Sequence, residues 1–456
     1  MKRVVLLGLV ALLAVSTAAA AQERESYVLE AAGKWTGAHS RAVAAAGGSL
    51  TFSHEGTGIG VATSANPGFV AQVATLAKFS AVTPDMMVQW QKPTRTVSLE
   101  EAGVPANPAD TFFQYVQWAP QAVHAPEAWA ANCTGMGVRV AILDGGIRST
   151  HIDLKDRVDL AASTSFVPGF AFNQDVGTFW HGTHVAGIVA ASANGIGTVG
   201  IAPEATIIGV KVLHNGSGSF GWVIRGILYA ATPISAGGAG AQVINMSLGA
   251  VFPKNEQGGG PLVAALNKAV NYADRFGVLV VSAAGNDGLD LDHTGNLVSV
   301  PAQSGSGIAV SATGPLGFAL GATNFWRIAS YTNYGTSVVN VAAPGGDFAL
   351  PGADLCSLAA VPSGSVIVPC WVFDMVLSTS RGSGASISSY TWAAGTSMAA
   401  PAVSAVAAMI IQANPGISLG ALKTRIAQSA DDEGKVGRDM FYGSGFVNAF
   451  KACTAR

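Results

Sequence analysis

Four stretches of this chain are almost wholly apolar and of strand length: residues 138–143, 206–212, 241–246 and 277–282. None shows the polar alternation of a half-exposed strand, so both faces of the sheet they build must be covered. Helical segments separate them, and buried strands alternating with helices give a parallel sheet packed between helical layers. The expected fold class is α/β, with a mostly parallel central sheet and helices on both faces. Composition fits such a core: of 456 residues 49% are hydrophobic and 11% charged. The formal net charge of −2 provides no basic surface for nucleic acid.

The N-terminal part is built differently. Lys2 and Arg3 precede an apolar run and the alanines at 18–21, the pattern of a cleaved secretory signal over residues 1–21. Export to the extracellular space follows, with no membrane association once the signal is removed. Residues 22–105 read as a small α+β unit, with strands near 27–29, 50–54, 59–61 and 80–88 and helices at 38–46 and 67–76. Pro93, Pro105, Asn107 and Pro108 mark a linker, so the junction with the large unit, 106–456, is expected between 93 and 111. Residues 88–91 are expected to be the last ordered part of the small unit.

In an open parallel sheet, chemistry collects beyond the C-terminal strand ends. Asp144, Ser247-Leu248-Gly249 and Asn286 all follow expected strands. His181 and Ser397 each open a helical run beside a glycine, where the backbone can be approached closely. One acid, one imidazole and one hydroxyl are what an activated serine nucleophile requires. His181 and His184 are three apart, but the zinc-protease motif needs two histidines four apart with a Glu, so His184 is expected to be a packed, hydrogen-bonded side chain.

Asp144-Gly145-Gly146, His181-Gly182-Thr183-His184-Val185-Ala186-Gly187 and Gly395-Thr396-Ser397-Met398-Ala399-Ala400-Pro401 resemble the three signature blocks of subtilisin-like serine proteases. Ser247-Leu248-Gly249, Ala284-Gly285-Asn286 and the closing Tyr442-Gly443-Ser444-Gly445-Phe446-Val447-Asn448 are similar to further blocks of that family, and the likeness runs over about residues 112–452. The resemblance implies a serine endopeptidase with Asp144 as orienting acid, His181 as general base and Ser397 as nucleophile. Asn286 and the Ser397 backbone N–H would form the oxyanion hole. Substrate would pair along Ser247, Leu248 and Gly249. Ala283, Ala284 and Gly285 would wall a pocket for bulky apolar P1 residues, with Asp287 at its rim, and Phe220, Val223 and Leu248 a pocket for P4.

The same resemblance implies a structural calcium ion held by Asp153, Asn194, Ile196, Thr198 and Gln114, and no organic cofactor. It casts residues 22–105 as a prodomain that acts as an intramolecular inhibitor, with protein or peptide substrates, a monomeric enzyme and no nucleic-acid partner. A catalytically inactive peptide-binding module on the same fold is the alternative. Residues 345–390 are longer than the family's usual link and contain Cys356 and Cys370. An exported chain is expected to join these two, for about 3 kcal/mol of loop entropy. Cys133 and Cys453 form the matching second pair, although four cysteines permit three connectivities.

Overall fold

The computed structural model describes residues 24–91, 95–102, 111–113, 115–253, 258–361, 364–382 and 388–455; the expected signal, part of the junction and Gln114 lie outside them. In chain order the strands of the N-terminal part are β1 (Glu25–Ala31), β2 (Gly48–His54), β3 (Ile59–Ser64), β4 (Phe79–Pro84), β5 (Met87–Gln89) and β6 (Thr96–Ser98). The first four form an antiparallel sheet in the order β2-β3-β1-β4, with helices Gly37–Ala45 and Phe69–Leu76. Tyr27, Leu29, Val43, Phe69 and Val73 fill the core between sheet and helices.

The expected strand at 80–88 is two strands. Pro84 ends β4, since proline offers no N–H to continue the ladder, and the chain then leaves its own sheet. β5 pairs instead with Ser217–Ser219 of the large unit.

The large unit contains β7 (Arg139–Asp144), β8 (Thr164–Ser165), β9 (Thr206–Lys211), β10 (Ser217–Ser219), β11 (Val243–Met246), β12 (Ala250–Pro253), β13 (Leu279–Ala283), β14 (Leu297–Val300), β15 (Ile308–Thr313), β16 (Val339–Pro344), β17 (Leu355–Val361), β18 (Gly364–Pro369), β19 (Val376–Ser380) and β20 (Ser389–Ala393). Seven of them make one parallel sheet in the order β16-β15-β13-β11-β7-β9-β8. All four apolar stretches lie in it as β7, β9, β11 and β13, in the α/β arrangement expected. The core on one side is centred on helices His181–Ala190 and Thr396–Ala413. On the other, helices Phe220–Ala231 and Gly259–Arg275 cover the sheet.

Those last two helices also carry the small unit. Val28 and Ile59 join their apolar cluster, Lys268 pairs with Glu30, and the Asp85 carboxylate accepts the Gly221 N–H at 3.0 Å. Residues 345–390 form the β17–β18 hairpin, a helical turn at Cys370–Asp374 and β19 paired with β20. Both disulfides are present, Cys356–Cys370 and Cys133–Cys453.

Candidate active site

Asp144 ends β7, His181 is the first residue of its helix, and Ser397 is the second residue of the long apolar helix. All three are buried or nearly so. His181 Nδ1 stands 2.8 Å from Asp144 Oδ2, while Asp144 Oδ1 accepts the Gly145 N–H at 2.6 Å. Gly182 follows the histidine because a Cβ there would sit 2.6 Å from the Gly146 carbonyl and 3.0 Å from Asp144 Oδ1. Asp144 and His181 approach each other only because that position is bare.

A buried chain of hydrogen bonds fixes the Ser397 backbone. Ser404 donates to Asn245 Oδ1 at 2.9 Å, Asn245 Nδ2 to Ser247 Oγ at 2.9 Å, and Ser247 Oγ to the Ser397 carbonyl at 2.7 Å. The Ser397 hydroxyl itself donates to the Ser247 carbonyl at 3.3 Å. Ser247, expected in a substrate edge, also holds the Ser397 carbonyl through its side chain.

Asn286 is anchored through its oxygen. Oδ1 accepts both the backbone N–H and the hydroxyl of Thr396, at 2.8 and 2.7 Å. An amide whose oxygen is so held directs its NH₂ the other way. The loop is braced by Asn333, which nothing in the local sequence distinguishes. Asn333 is fully buried; Oδ1 accepts the N–H groups of Asp287 and Leu289, and Nδ2 donates to the Ala284 carbonyl. Gly285, at φ +108°, has no room for a Cβ beside that amide.

Lys211 is a second residue the sequence reading missed. It is buried on β9 opposite Asp144, and its ammonium donates to the carbonyls of Gly145 and Leu213. Burial lowers its pKa, and the carboxylates of Asp175 and Asp144 oppose that shift. The ammonium thus fastens the turn that follows β7.

Leu248, Gly249, Ala283, Gly285, Asn286, Asp287 and Ser397 line one pocket, together with Ala250, Val251 and Ser299, which had not been expected. Ala284 does not line it: its backbone N–H bonds to Val310 and its carbonyl to Asn333, with the residue fully buried. Phe220, Val223 and Leu248 share a buried cluster with Phe252, also unforeseen.

The occupant of this cleft is the chain's own tether. Trp90, at 1% exposure, packs its ring 5.0 Å from Phe220 and 6.2 Å from Phe252, and its indole N–H donates to the Gly218 carbonyl. Its backbone bridges the two walls, donating to Gly216 and accepting from Gly249. The Gln91 amide nitrogen donates to Asp144 Oδ1 at 3.0 Å and stands 2.8 Å from His181 Nδ1. Beyond the four following residues of sequence, Thr96, Val97 and Ser98 pair with Ala393, Trp392 and Thr391 of β20.

Of the expected calcium ligands, Gln114 lies outside the described residues, and the side chains of Asp153 and Asn194 are arranged for hydrogen bonds rather than for a cation. Asp153 is fully buried, and its oxygens accept from Asn194 Nδ2 at 3.3 Å, the Thr198 N–H at 3.0 Å and the Tyr390 hydroxyl. The Asn194 oxygen is turned to the Ile196 N–H. Calcium needs converging oxygen lone pairs, whereas N–H and O–H donors converge here. Burial raises the Asp153 pKa to about 6. Tyr390, from the long insertion, supplies the donor that the sequence reading did not anticipate. His184 is a packed histidine: its Nε2 lies 2.9 Å from the Thr391 carbonyl, and burial lowers its pKa to about 3.

A profile of the subtilase family (Peptidase_S8) matches residues 135–445. M-protease of Shouchella clausii is 37% identical over 340 residues, 74% of this chain and 70% of its own length. Subtilisin Savinase of Lederbergia lenta is 36% identical over 337 residues, 74% of this chain and 98% of its own. Among solved structures, the epidermin leader peptide processing serine protease of Staphylococcus aureus, as an S393A mutant, aligns over 95% of this chain and all of its own. The TM-score is 0.72 at 20% identity, a likeness of fold.

Proposed function

Because the chain belongs to the subtilase family and is a serine endopeptidase, we propose that it is an exported protease made as a self-inhibited precursor. Ser397 attacks the peptide carbonyl, His181 takes its proton and returns it to the leaving amine, and Asp144 holds the imidazole tautomer. In this mechanism the Ser397 hydroxyl, bonded to the Ser247 carbonyl at 3.3 Å, exchanges that partner for His181. Asn286 Nδ2 and the Ser397 N–H stabilise the oxyanion, and the acyl-enzyme is then hydrolysed.

The reading rests above all on the tether. A segment whose backbone bridges both cleft walls at Trp90, and whose next side chain touches the Asp144–His181 pair, lies as an extended substrate would. Residues 24–91 thereby act as the inhibitory prodomain, and the junction falls between Gln91 and Thr96, at the near end of the expected interval. Trp90 in the aromatic pocket supports a preference for bulky apolar P4 residues. The Ala283 and Gly285 walls support bulky apolar P1 residues, with basic ones tolerated at the Asp287 rim. The substrates are proteins or peptides. Calcium has no part in this reading, since the Asp153 cluster is closed by its own donors.

Intact mass and N-terminal sequencing of the purified wild type beside Ser397→Ala test the proposal. Wild type is expected to lose about the first hundred residues, while the variant loses only its signal. Retention of the N-terminal unit in both would overturn it. Labelling of Ser397 by a fluorophosphonate separates an active enzyme from a silent peptide-binding fold.

A further inference from the structure

Trp371 immediately follows Cys370, which the Cys356–Cys370 disulfide ties to the other strand of the β17–β18 hairpin. Its ring lies beneath the guanidinium of Arg95, with Arg95 Cζ 3.9 Å from the ring centroid. Phe348 stands 5.9 Å from the same guanidinium and is itself stacked on Tyr331, whose hydroxyl donates to the Gly345 and Gly346 carbonyls. Asp354 lines a cleft with Trp371. All of these groups belong to, or border, the insertion at 345–390. Arg95 is otherwise an exposed residue, with no need of shelter from water.

Its place along the chain gives the contact its meaning. β20 runs toward the nucleophile, ending at Ala393, and β6 is antiparallel to it with Thr96 opposite Ala393. Arg95 is one residue nearer Ser397 than that pair. Gln91, four residues earlier, touches Asp144 and His181. A bond cut anywhere between Gln91 and Arg95 leaves Arg95 on the amine, leaving-group side.

We propose that Trp371 and Phe348 form a subsite on the leaving-group side of the cleft that receives an arginine or, less well, a lysine side chain of polypeptide substrates. Arg95 is its first occupant, in the precursor, and the subsite opens when the strand Thr96–Ser98 leaves β20 after self-cleavage. Arginine is favoured over lysine because its planar guanidinium stacks on the indole face as well as being attracted to it. The inference rests on the proteolytic reading of the preceding subsection.

The test uses internally quenched peptides identical before the scissile bond, with Arg, Lys, Ala or Glu at each of the first three positions after it. Rates are taken per active site, counted by fluorophosphonate titration, for wild type, Trp371→Ala, Trp371→Phe and Phe348→Ala. At one position kcat/KM is expected to favour Arg over Ala by roughly three- to thirtyfold, the range of a cation–π contact from exposed to desolvated. The ratio falls toward one in Trp371→Ala, falls in part in Phe348→Ala, and largely returns in Trp371→Phe. In the precursor, Arg95→Ala slows self-cleavage by a similar factor. Equal rates for Arg and Ala peptides in the wild type, or an Arg preference unchanged by Trp371→Ala, would overturn the subsite. Failure to cleave a chromogenic amide, which carries no residue beyond the scissile bond, would instead overturn the proteolytic reading.

Discussion

Replacing Trp90 by alanine should uncouple the N-terminal unit from the enzyme. An aromatic side chain of this kind buries about 150–250 Å², worth about 4–6 kcal/mol at ~25 cal/mol per Å². Alanine keeps a fraction of that, which leaves a loss of about 3 kcal/mol, and the lost indole bond to Gly218 adds about 1 kcal/mol. At 1.4 kcal/mol per decade, about 4 kcal/mol weakens the inhibitory complex by roughly 10²–10³. The assay dilutes the self-cleaved complex and follows hydrolysis of a chromogenic amide, reading the concentration at which half the activity appears. That concentration should rise by two to three decades, on the order expected for a buried aromatic anchor. Trp90→Phe keeps most of the apolar filling of the Phe220–Phe252 pocket and should move it by roughly tenfold or less. A shift below about threefold for Trp90→Ala would refute the reasoning, as would equal shifts for Phe and Ala, because filling of this pocket would then not be what holds the tether.

Three other outcomes are expected. Asn286→Ala should lower kcat by about 10²–10³ with the fold intact, a figure carried over from the equivalent donor in subtilisin, the family's prototype; a loss under about fivefold would remove Asn286 from the oxyanion hole. Thorough chelation should leave the Tm of Ser397→Ala unchanged, while Tyr390→Phe, which removes a donor to Asp153, should destabilise it by about 1–2 kcal/mol; a large rise in Tm on adding calcium would reverse the first expectation. His184 carries a folded pKa of about 3 against 6.5 unfolded, so between these values the unfolded chain binds the extra proton. Its contribution is therefore complete above pH 6.5 and is lost on acidification toward pH 3, at about 1.4 kcal/mol per pH unit. Urea midpoints of Ser397→Ala between pH 4 and 7 should fall with acidification, and His184→Gln in the same background should lower that slope by about this amount while the buried His151 keeps its own share.

The sequence alone determined the sheet and singled out Asp144, His181 and Ser397, because both are written locally. A buried parallel strand must be apolar on both faces, so β7, β9, β11 and β13 stand out as continuous runs. Gly182 follows His181 because a side chain there would collide with Asp144 and Gly146. The cysteine pairing was also legible, since only one pair closes a short loop. What tertiary structure decided depends on residues distant in sequence meeting in space. Asn333 braces the Asn286 loop, Lys211 fastens the turn after Asp144, and Phe252 completes the pocket around Trp90, yet each is an ordinary side chain in its own segment. The Asp153 loop carries the pattern of a calcium site, and it is Tyr390, far along the chain, that brings a hydroxyl to the carboxylate and replaces cation ligation with hydrogen bonding. The expected strand at 80–88 failed for the same reason. Its second half satisfies its backbone on β10 of the other unit, and a hydrogen-bond ladder between units leaves no periodicity in either sequence.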